Sequence, residues 1–126
     1  MGTTRGARNM SARAERAGTQ QSRAARSARV LAALGDETRL ALIGALCAGG
    51  AVSIAQLTGG TRISRQAVTK HLQVLAEAGL ASDIRDGRER LWQFEPRALV
   101  AAMRSLEQIE QQWQRAVLRP GAARKR

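Results

Sequence analysis

The chain of 126 residues has little of several residue types on which whole classes of protein depend. It contains one cysteine, one histidine and no tyrosine, and its aromatic residues are Trp92, Phe94 and Trp113. A single cysteine excludes a disulfide framework and any metal site built from cysteines alone. A single histidine leaves little for a histidine-rich metal site or a histidine-centred catalytic triad. We therefore expect no cofactor and no enzymatic activity.

Long apolar runs are also missing. No stretch reaches the roughly 18 apolar residues that a membrane-spanning helix needs. The basic N-terminus lacks the apolar stretch of about 7–15 residues that a signal peptide carries. These absences predict a soluble cytoplasmic protein with no membrane partner.

Acidic residues are scarce relative to basic ones: 10 Asp and Glu stand against 21 Lys and Arg, a formal net charge of +11. Residues 1–29 carry seven arginines and one glutamate, and residues 119–126 carry four basic residues, so residues 30–118 are left with +1. An excess of positive charge suits a polyanionic partner. The two ends are therefore basic, and the middle is nearly neutral.

Residues 1–26 are predicted to form a basic disordered tail. A segment with almost no bulky apolar residue cannot bury enough surface to offset the entropy of ordering. One interpretation is a solubilising tail, part of which would precede the true start if Met10 is the initiator. The other is an arm that binds phosphates without reading sequence. Residues 119–126 are predicted to be a second basic tail.

Residues 27–118 show the apolar spacing of helices. The first helix carries Val30, Leu31 and Leu34 and ends at Gly35, and Asp36 is a good N-cap for a second. The second helix is expected to end at Gly49-Gly50 and to bury four residues: Leu40, Ile43, Leu46 and Cys47. Cys47 is predicted to pack in the core, with a redox role as the alternative.

A short third helix and a fourth helix follow. Ser53 caps the third helix, which carries Ile54 and Leu57 and breaks at Gly59-Gly60. The fourth helix begins after Ser64 and ends at the C-terminal cap Gly79, followed by Leu80. Its apolar residues are spaced i, i+4, i+7: Val68, Leu72 and Leu75.

Residues 81–94 show the spacing of strands. This pattern predicts a hairpin around Asp86-Gly87, with Trp92 and Phe94 in the core under it. Pro96 suits the first turn of a long last helix that ends at Pro120-Gly121. The apolar positions of that helix alternate steps of three and four, close to a coiled-coil seam: Leu99, Met103, Leu106, Ile109 or Glu110, Trp113 and Val117. This order of elements predicts a mainly α (α+β) fold, a winged helix-turn-helix with five helices and a β-hairpin wing.

The polar face of the fourth helix is the candidate DNA-reading surface, since such helices read bases with their N-terminal residues. Arginine can bind guanine and glutamine can bind adenine; Thr69 can meet a thymine methyl or a phosphate. The predicted DNA-binding residues are Arg62, Ser64, Arg65, Gln66, Thr69, Lys70 and the wing residue Arg88. The alternatives are an ordinary solvated helix face and, for Arg85, Arg88 and Arg90, charges that protect an edge strand from aggregation.

Two more residues have competing interpretations. His71, beside the apolar stripe of the fourth helix, is predicted to be structural, with a phosphate contact as the alternative. Trp113 is predicted to anchor a dimer, because interfaces favour tryptophan. Its alternative is packing against the first helix of the same chain.

Two stretches resemble the ArsR-type winged-helix repressors: LAALGDETRLALIGAL from Leu31 to Leu46, and ISRQAVTKHLQVLAEAGL from Ile63 to Leu80, together with the wing Gly87-Arg88. The likeness covers roughly residues 27–118. It implies a homodimeric bacterial transcription regulator, usually a repressor that binds an imperfect palindrome over a promoter. It also implies that Arg65, Gln66, Thr69 and Lys70 face the major groove. The first and last helices would form the dimer interface, which here holds Leu31, Leu34, Leu99, Met103, Leu106 and Trp113.

The metal-binding residues of this family have no counterpart here. Metal-sensing members carry Cys-x-Cys-Asp at the start of the third helix, where this chain has Ser53, Ala55 and Gln56. Other members carry histidine and carboxylate ligands on the last helix, where this chain has Glu107 and Glu110 but no histidine. The resemblance is therefore to the branch without metal-binding cysteines, which is ligand-free or has an unknown effector and whose members often repress their own operon.

The sequence predicts two partners: double-stranded DNA with a palindromic operator, and a second copy of the chain. The predicted location is the cytoplasm, in association with the nucleoid. Two alternatives stay open. One is a non-specific nucleic-acid-binding protein driven by the arginine-rich tails. The other is a winged-helix module that binds a protein partner.

Overall fold

A computed structural model describes residues 18, 22–60 and 62–119 of the chain. This part contains five helices and a three-stranded antiparallel sheet. The elements are α1 (22–34), α2 (Glu37–Gly49), β1 (Ala51–Ser53), α3 (Ile54–Gly59), α4 (Arg65–Glu77), β2 (Ala81–Asp86), β3 (Glu89–Phe94) and α5 (Pro96–Leu118). The predicted winged helix-turn-helix is confirmed.

The three predicted N-caps form hydrogen bonds with the backbone of the helices that they begin. The Asp36 carboxylate accepts from the Arg39 amide at 3.0 Å, and the Ser64 hydroxyl accepts from the Ala67 amide at 3.2 Å. At α3, Ser53 and Gln56 form a reciprocal capping box. Each cap satisfies a donor that the first turn of a helix leaves unpaired.

The end of α4 is a Schellman motif. The Leu80 amide donates to the Leu75 carbonyl at 2.9 Å, and the Gly79 amide donates to the Ala76 carbonyl at 3.0 Å. Gly79 has a φ of +80°, which glycine adopts without steric cost. Leu80 is fully buried behind this turn, so the chain leaves α4 in a direction that carries β2 onto the core.

The sheet has the strand order β1-β3-β2, and β2 and β3 form the wing hairpin. Asp86 pairs with Glu89 across the two-residue turn Gly87-Arg88, in which Gly87 has a φ of +65°. The strand β1, whose Val52 pairs with Trp92, is not predicted by the sequence pattern. Three residues are too short to show a strand period, and their partner strand lies about forty residues away.

The core lies where α2, α4 and the sheet meet. Its largest fully buried side chains are Trp92, Leu46, Leu72, Leu75, Leu80 and Val68. Phe94 is half-buried and packs against this cluster. The predicted apolar face of α4 and the core role of Trp92 are confirmed.

The first two helices differ from the prediction in detail. Residues 22–26 are helical, so α1 begins before residue 27 and includes the end of the predicted disordered tail. The segment Ser-Arg-Ala-Ala-Arg combines strong helix formers with no breaker, and its helix continues one that is anchored by Val30 and Ala33.

In α2, the prediction was wrong for Leu40 and Cys47. Leu40 is 56% exposed and Cys47 is exposed, whereas Leu42 is buried together with Ile43 and Leu46. Apolar residues surround more than half of α2, so the sequence offers two apolar stripes. Contact with α4 and the sheet selects the stripe centred on Leu42 and Leu46.

The remaining residues of the predicted tails, 1–17, 19–21 and 120–126, and the predicted stop at Pro120-Gly121 lie outside the described residues. Within the described part, α5 ends at Leu118. No helix there is long and apolar enough to cross a membrane.

The Schellman turn provides a stability test with a matched control. An alanine at position 79 would have to adopt the left-handed conformation of Gly79, and its Cβ would lie 3.3 Å from the Ala98 Cβ. Gly79→Ala should therefore destabilise the protein by about 1–2 kcal/mol in urea denaturation. Gly59→Ala, at a helical residue with open space around it, should be neutral or stabilising by up to about 1 kcal/mol. Equal effects of the two substitutions would contradict this account of the turn.

Candidate nucleic-acid interface

The helix α4 has one face in the core and the opposite face in solvent. Val68, Leu72 and Leu75 are fully buried, so the residues on the other side point outward. Arg65, Gln66 and Lys70 are exposed, and Thr69 is half-buried at the edge of this face. The structure thus brings these four predicted residues together on the first two turns of one helix.

The side chains at the start of α4 are held by local hydrogen bonds. The Ser64 hydroxyl accepts from the Ala67 amide, which leaves its own proton free for another acceptor. The Thr69 hydroxyl donates to the Arg65 carbonyl at 2.8 Å. Arg62, in the turn before the helix, is exposed. We call Arg62, Ser64, Arg65, Gln66, Thr69 and Lys70 the recognition face.

The charge of this segment has one sign. The chain contains no aspartate or glutamate between Glu37 and Glu77, and this interval holds α3, the turn and most of α4. Arg62, Arg65 and Lys70 are its exposed basic residues. The nearly neutral folded part therefore has a locally positive surface at the recognition face, as phosphate binding requires.

The wing carries three arginines in different environments. Arg90 donates from Nε to Asp83 Oδ2 at 2.8 Å, and its guanidinium lies 4.8 Å from the centre of the Trp92 ring. Arg88, at the turn, and Arg85, on β2, are exposed and form no ion pair among the described residues. Arg88 is thus a free charge at the tip of the wing, while Arg90 is held on the wing itself.

Arg39 forms a junction between α1, α2 and α4 that the sequence pattern does not predict. Arg39 donates from Nε to the Ala33 carbonyl at 2.6 Å and from Nη2 to the Ala32 carbonyl at 3.4 Å. Its Nη1 lies 3.5 Å from Nδ1 of His71 in α4. The signal was the pair Asp36 and Arg39, three residues apart at a helix start, but its long-range partner cannot be read from spacing.

His71 is turned towards this junction. Its side chain is 25% exposed, and Nδ1 lies 4.0 Å from the Asp36 carboxylate. The structure therefore agrees with the structural role expected for His71. The Arg39 amide, which donates to the Asp36 carboxylate, holds the pKa of Asp36 below its ordinary value, and the positive charge of Arg39 adds to this effect.

The predicted dimer residues divide into two groups. Leu34 and Leu99 are half-buried and pack against the core of their own chain. Leu31, Met103, Leu106 and Trp113 are exposed, as are other apolar residues of α5. Trp113 is 64% exposed, so its own chain leaves most of this side chain uncovered.

Two of the positions compared above with metal ligands have a structural role in this chain. Ser53 and Gln56 form the capping box of α3, in which the Ser53 amide donates to the Gln56 side chain at 2.9 Å. In the described part of the chain, no three His, Cys, Asp or Glu side chains lie close enough together to hold a metal ion.

Comparison with known proteins agrees with this geometry. A family model described as a helix-turn-helix domain matches residues 34–83. The chain is 36% identical over 85 residues to the HTH-type transcriptional regulator Rv2034 of Mycobacterium tuberculosis, a match covering 68% of this chain and 76% of that protein. The ArsR-like transcriptional regulator from Rhodococcus sp. RHA1 has a TM-score of 0.66 at 36% identity, covering 74% of this chain and 87% of that one.

This chain belongs to the ArsR-type family of winged helix-turn-helix transcriptional regulators. Its fold is shared by a homodimeric winged helix-turn-helix DNA-binding domain, Mb0332 from Mycobacterium bovis, with a TM-score of 0.59 at 21% identity over 73% of this chain and 86% of that one. The family and the fold are those of DNA-binding transcriptional regulators, which are not enzymes. This ArsR-type chain is therefore a DNA-binding transcriptional regulator.

The ion pair of the wing can be tested by titration. The Arg90 guanidinium, which donates a hydrogen bond to Asp83, holds the pKa of that carboxyl below its ordinary value. The stability that this pair gives the wing is present above the ordinary pKa of about 3.9 and is lost as the pH falls through the lowered pKa. In an NMR titration of the Asp83 carboxyl carbon, Arg90→Gln should raise the pKa towards the ordinary value.

The control for this titration is Arg85→Gln. Arg85 affects Asp83 only weakly, through its charge, so its substitution should raise the pKa of Asp83 less than Arg90→Gln does. An unchanged pKa in Arg90→Gln would show that the hydrogen bond does not persist in solution.

Proposed function

We propose that this protein is a homodimeric repressor that binds a palindromic operator, without a metal effector, and that it represses its own operon. The observation that carries the proposal is the recognition face. It places basic and amide side chains at the start of a helix whose other face is fully buried. A recognition helix in the major groove contacts the base edges with the residues at its N-terminal end.

The individual roles follow from the geometry of the side chains. Arg65 is suited to guanine and Gln66 to adenine, while Arg62, Lys70 and Arg88 are suited to phosphates. Because a phosphate only accepts hydrogen bonds, the bond from the Thr69 hydroxyl to Arg65 competes with a phosphate contact. Of the two roles expected for Thr69, contact with a thymine methyl is therefore favoured.

Dimerisation is supported by apolar surface that the single chain leaves uncovered. Every residue of α5 from 106 to 118 is exposed, yet Leu106, Ile109, Trp113 and Val117 continue its apolar stripe. Such a patch is typical of an interface. A two-fold dimer through α5 and Leu31 of α1 would bury it and present two recognition helices to successive major grooves, about 34–36 Å apart.

Repression would then be steric, because a dimer on the promoter excludes the polymerase. Release needs an effector that binds the DNA-free conformation better than the bound one, since equal binding to both shifts nothing. Such a regulator would act at the nucleoid in the cytoplasm.

The decisive experiment is equilibrium binding of the purified protein to its own upstream DNA and to a scrambled duplex over a salt series. A specificity ratio above about a thousand near physiological salt would support operator binding. Equal binding to both duplexes, fading steeply with salt, would contradict it and favour non-specific binding by the basic tails. An absence of DNA binding would favour the protein-interaction module.

Substitution of Gln66 tests base reading directly. Gln66→Ala should lower the affinity for the preferred duplex by about 1–3 kcal/mol and relax the preference at one or two base pairs. The control Gln111→Ala, an exposed glutamine of α5, should change neither quantity. A uniform loss of affinity over all sequences would assign Gln66 to a phosphate instead.

The dimer can be tested with a matched pair of charges on α5. Trp113→Glu places a carboxylate within the apolar stripe and should yield monomers in sedimentation equilibrium, because interface cores exclude charge. Gln108→Glu places the same charge on the opposite, polar side of the helix and should leave a dimer. A dimer that persists in Trp113→Glu would move the interface elsewhere.

A further inference from the structure

Arg39 connects three helices through one planar group. Its Nε and Nη2 donate to the carbonyls of Ala33 and Ala32 in the last turn of α1, at 2.6 and 3.4 Å. Its Nη1 contacts Nδ1 of His71, in the second turn of α4, at 3.5 Å. Its own backbone amide is held by the cap of α2. The half-buried side chain therefore fixes the end of α1 relative to the recognition helix.

The geometry needs an arginine. The last carbonyls of a helix lack partners within the helix and carry the negative end of its dipole, so a cation there is stabilised. A guanidinium has donors pointing in several fixed directions, whereas the ammonium of a lysine is a single point. A lysine could keep the charge near α1 but could not also reach His71 in the same plane.

The contacts continue from α1 to the helix with the uncovered apolar surface. The hydroxyls of Ser27 in α1 and Ser105 in α5 lie 2.8 Å apart, and Ser27 is buried. Val30 and Ala33 of α1 and Ala102 of α5 are buried in the same cluster. An unbroken series of packed groups thus runs from α5 through α1 and Arg39 to His71 of α4.

We propose that Arg39 is a positioning residue for operator recognition, which holds α4 at an angle set by α1 and α5. The inference rests on the proposed function, because it assumes that α4 reads DNA and that α1 and α5 join two copies. Arg39 lies outside the recognition face. It therefore acts through His71, and it couples the arrangement of the two protomers to the spacing of their recognition helices.

This role differs from that of a simple helix cap. A cap that only stabilises α1 would, when lost, lower the melting temperature and weaken binding to every DNA sequence alike. A positioning residue affects binding that depends on the angle of α4, which is base reading. Contact of the basic residues with phosphates in any duplex tolerates a small rotation, so non-specific affinity should be retained.

The experiment uses the full chain and a duplex enriched by the wild type from a random pool. The variants are Arg39→Lys and His71→Leu, alone and together, with Arg97→Lys as the control. Arg97 is exposed and has no hydrogen bond or ion pair among the described residues. Dissociation constants are measured for the enriched and scrambled duplexes at one salt concentration, alongside melting temperature and the monomer–dimer equilibrium.

Arg39→Lys and His71→Leu should each weaken binding to the enriched duplex by roughly 3- to 30-fold. Binding to the scrambled duplex and dimerisation should change by less than about twofold. The double variant should lose no more than the weaker-binding single variant, because both changes break the same contact. His71→Asn keeps an acceptor at the place of Nδ1 and should retain most of the affinity.

Three results would overturn the role of Arg39 alone. One is an unchanged preference for the enriched duplex in Arg39→Lys and His71→Leu. Another is an equal loss on both duplexes that follows the melting temperature. The third is a pair of losses that multiply in the double variant. A wild type that enriches no sequence from the pool would overturn the proposed function and, with it, this inference.

Discussion

The burial of one apolar stripe on α4 determines which side chains of this helix are exposed to solvent. Val68, Leu72 and Leu75 are fully enclosed by a core that also holds Leu46 of α2 and Trp92 of β3. A helix buried along one line must expose the opposite line, so the recognition face is the geometric consequence of this packing. Loss of any large member of the stripe would loosen the core and the reading surface together.

The electrostatic design is local. The folded part is nearly neutral, yet the interval between Glu37 and Glu77 has only basic charges, and Arg62, Arg65 and Lys70 are its exposed members. On the wing, Asp83 engages Arg90 and leaves Arg88 exposed at the tip. Exposed positive charge thus lies at the start of α4 and at the tip of the wing, whereas Arg90 beside that tip is paired with Asp83.

The single chain leaves apolar side chains of its first and last helices exposed. The second half of α5 extends into solvent with apolar residues along one side, and α1 joins α5 through a part-buried hydrogen bond between two serines. The last turn of the same α1 accepts hydrogen bonds from Arg39 of α2, whose guanidinium also contacts His71 of α4. The exposed apolar stripe of α5 and the recognition face of α4 are therefore linked through a few contacts.

The sequence by itself determined the elements whose signals are local: the caps Asp36, Ser53 and Ser64, the Gly79 turn, the hairpin and the stripe of α4. These depend on residues within one or two turns, so spacing and residue type suffice. Only the tertiary structure decided which stripe of α2 is buried, that Cys47 is exposed, that β1 joins the sheet, and that Arg39 meets His71. Each of these depends on contacts between segments distant in the chain, for which the local pattern offers several equivalent solutions and packing selects one.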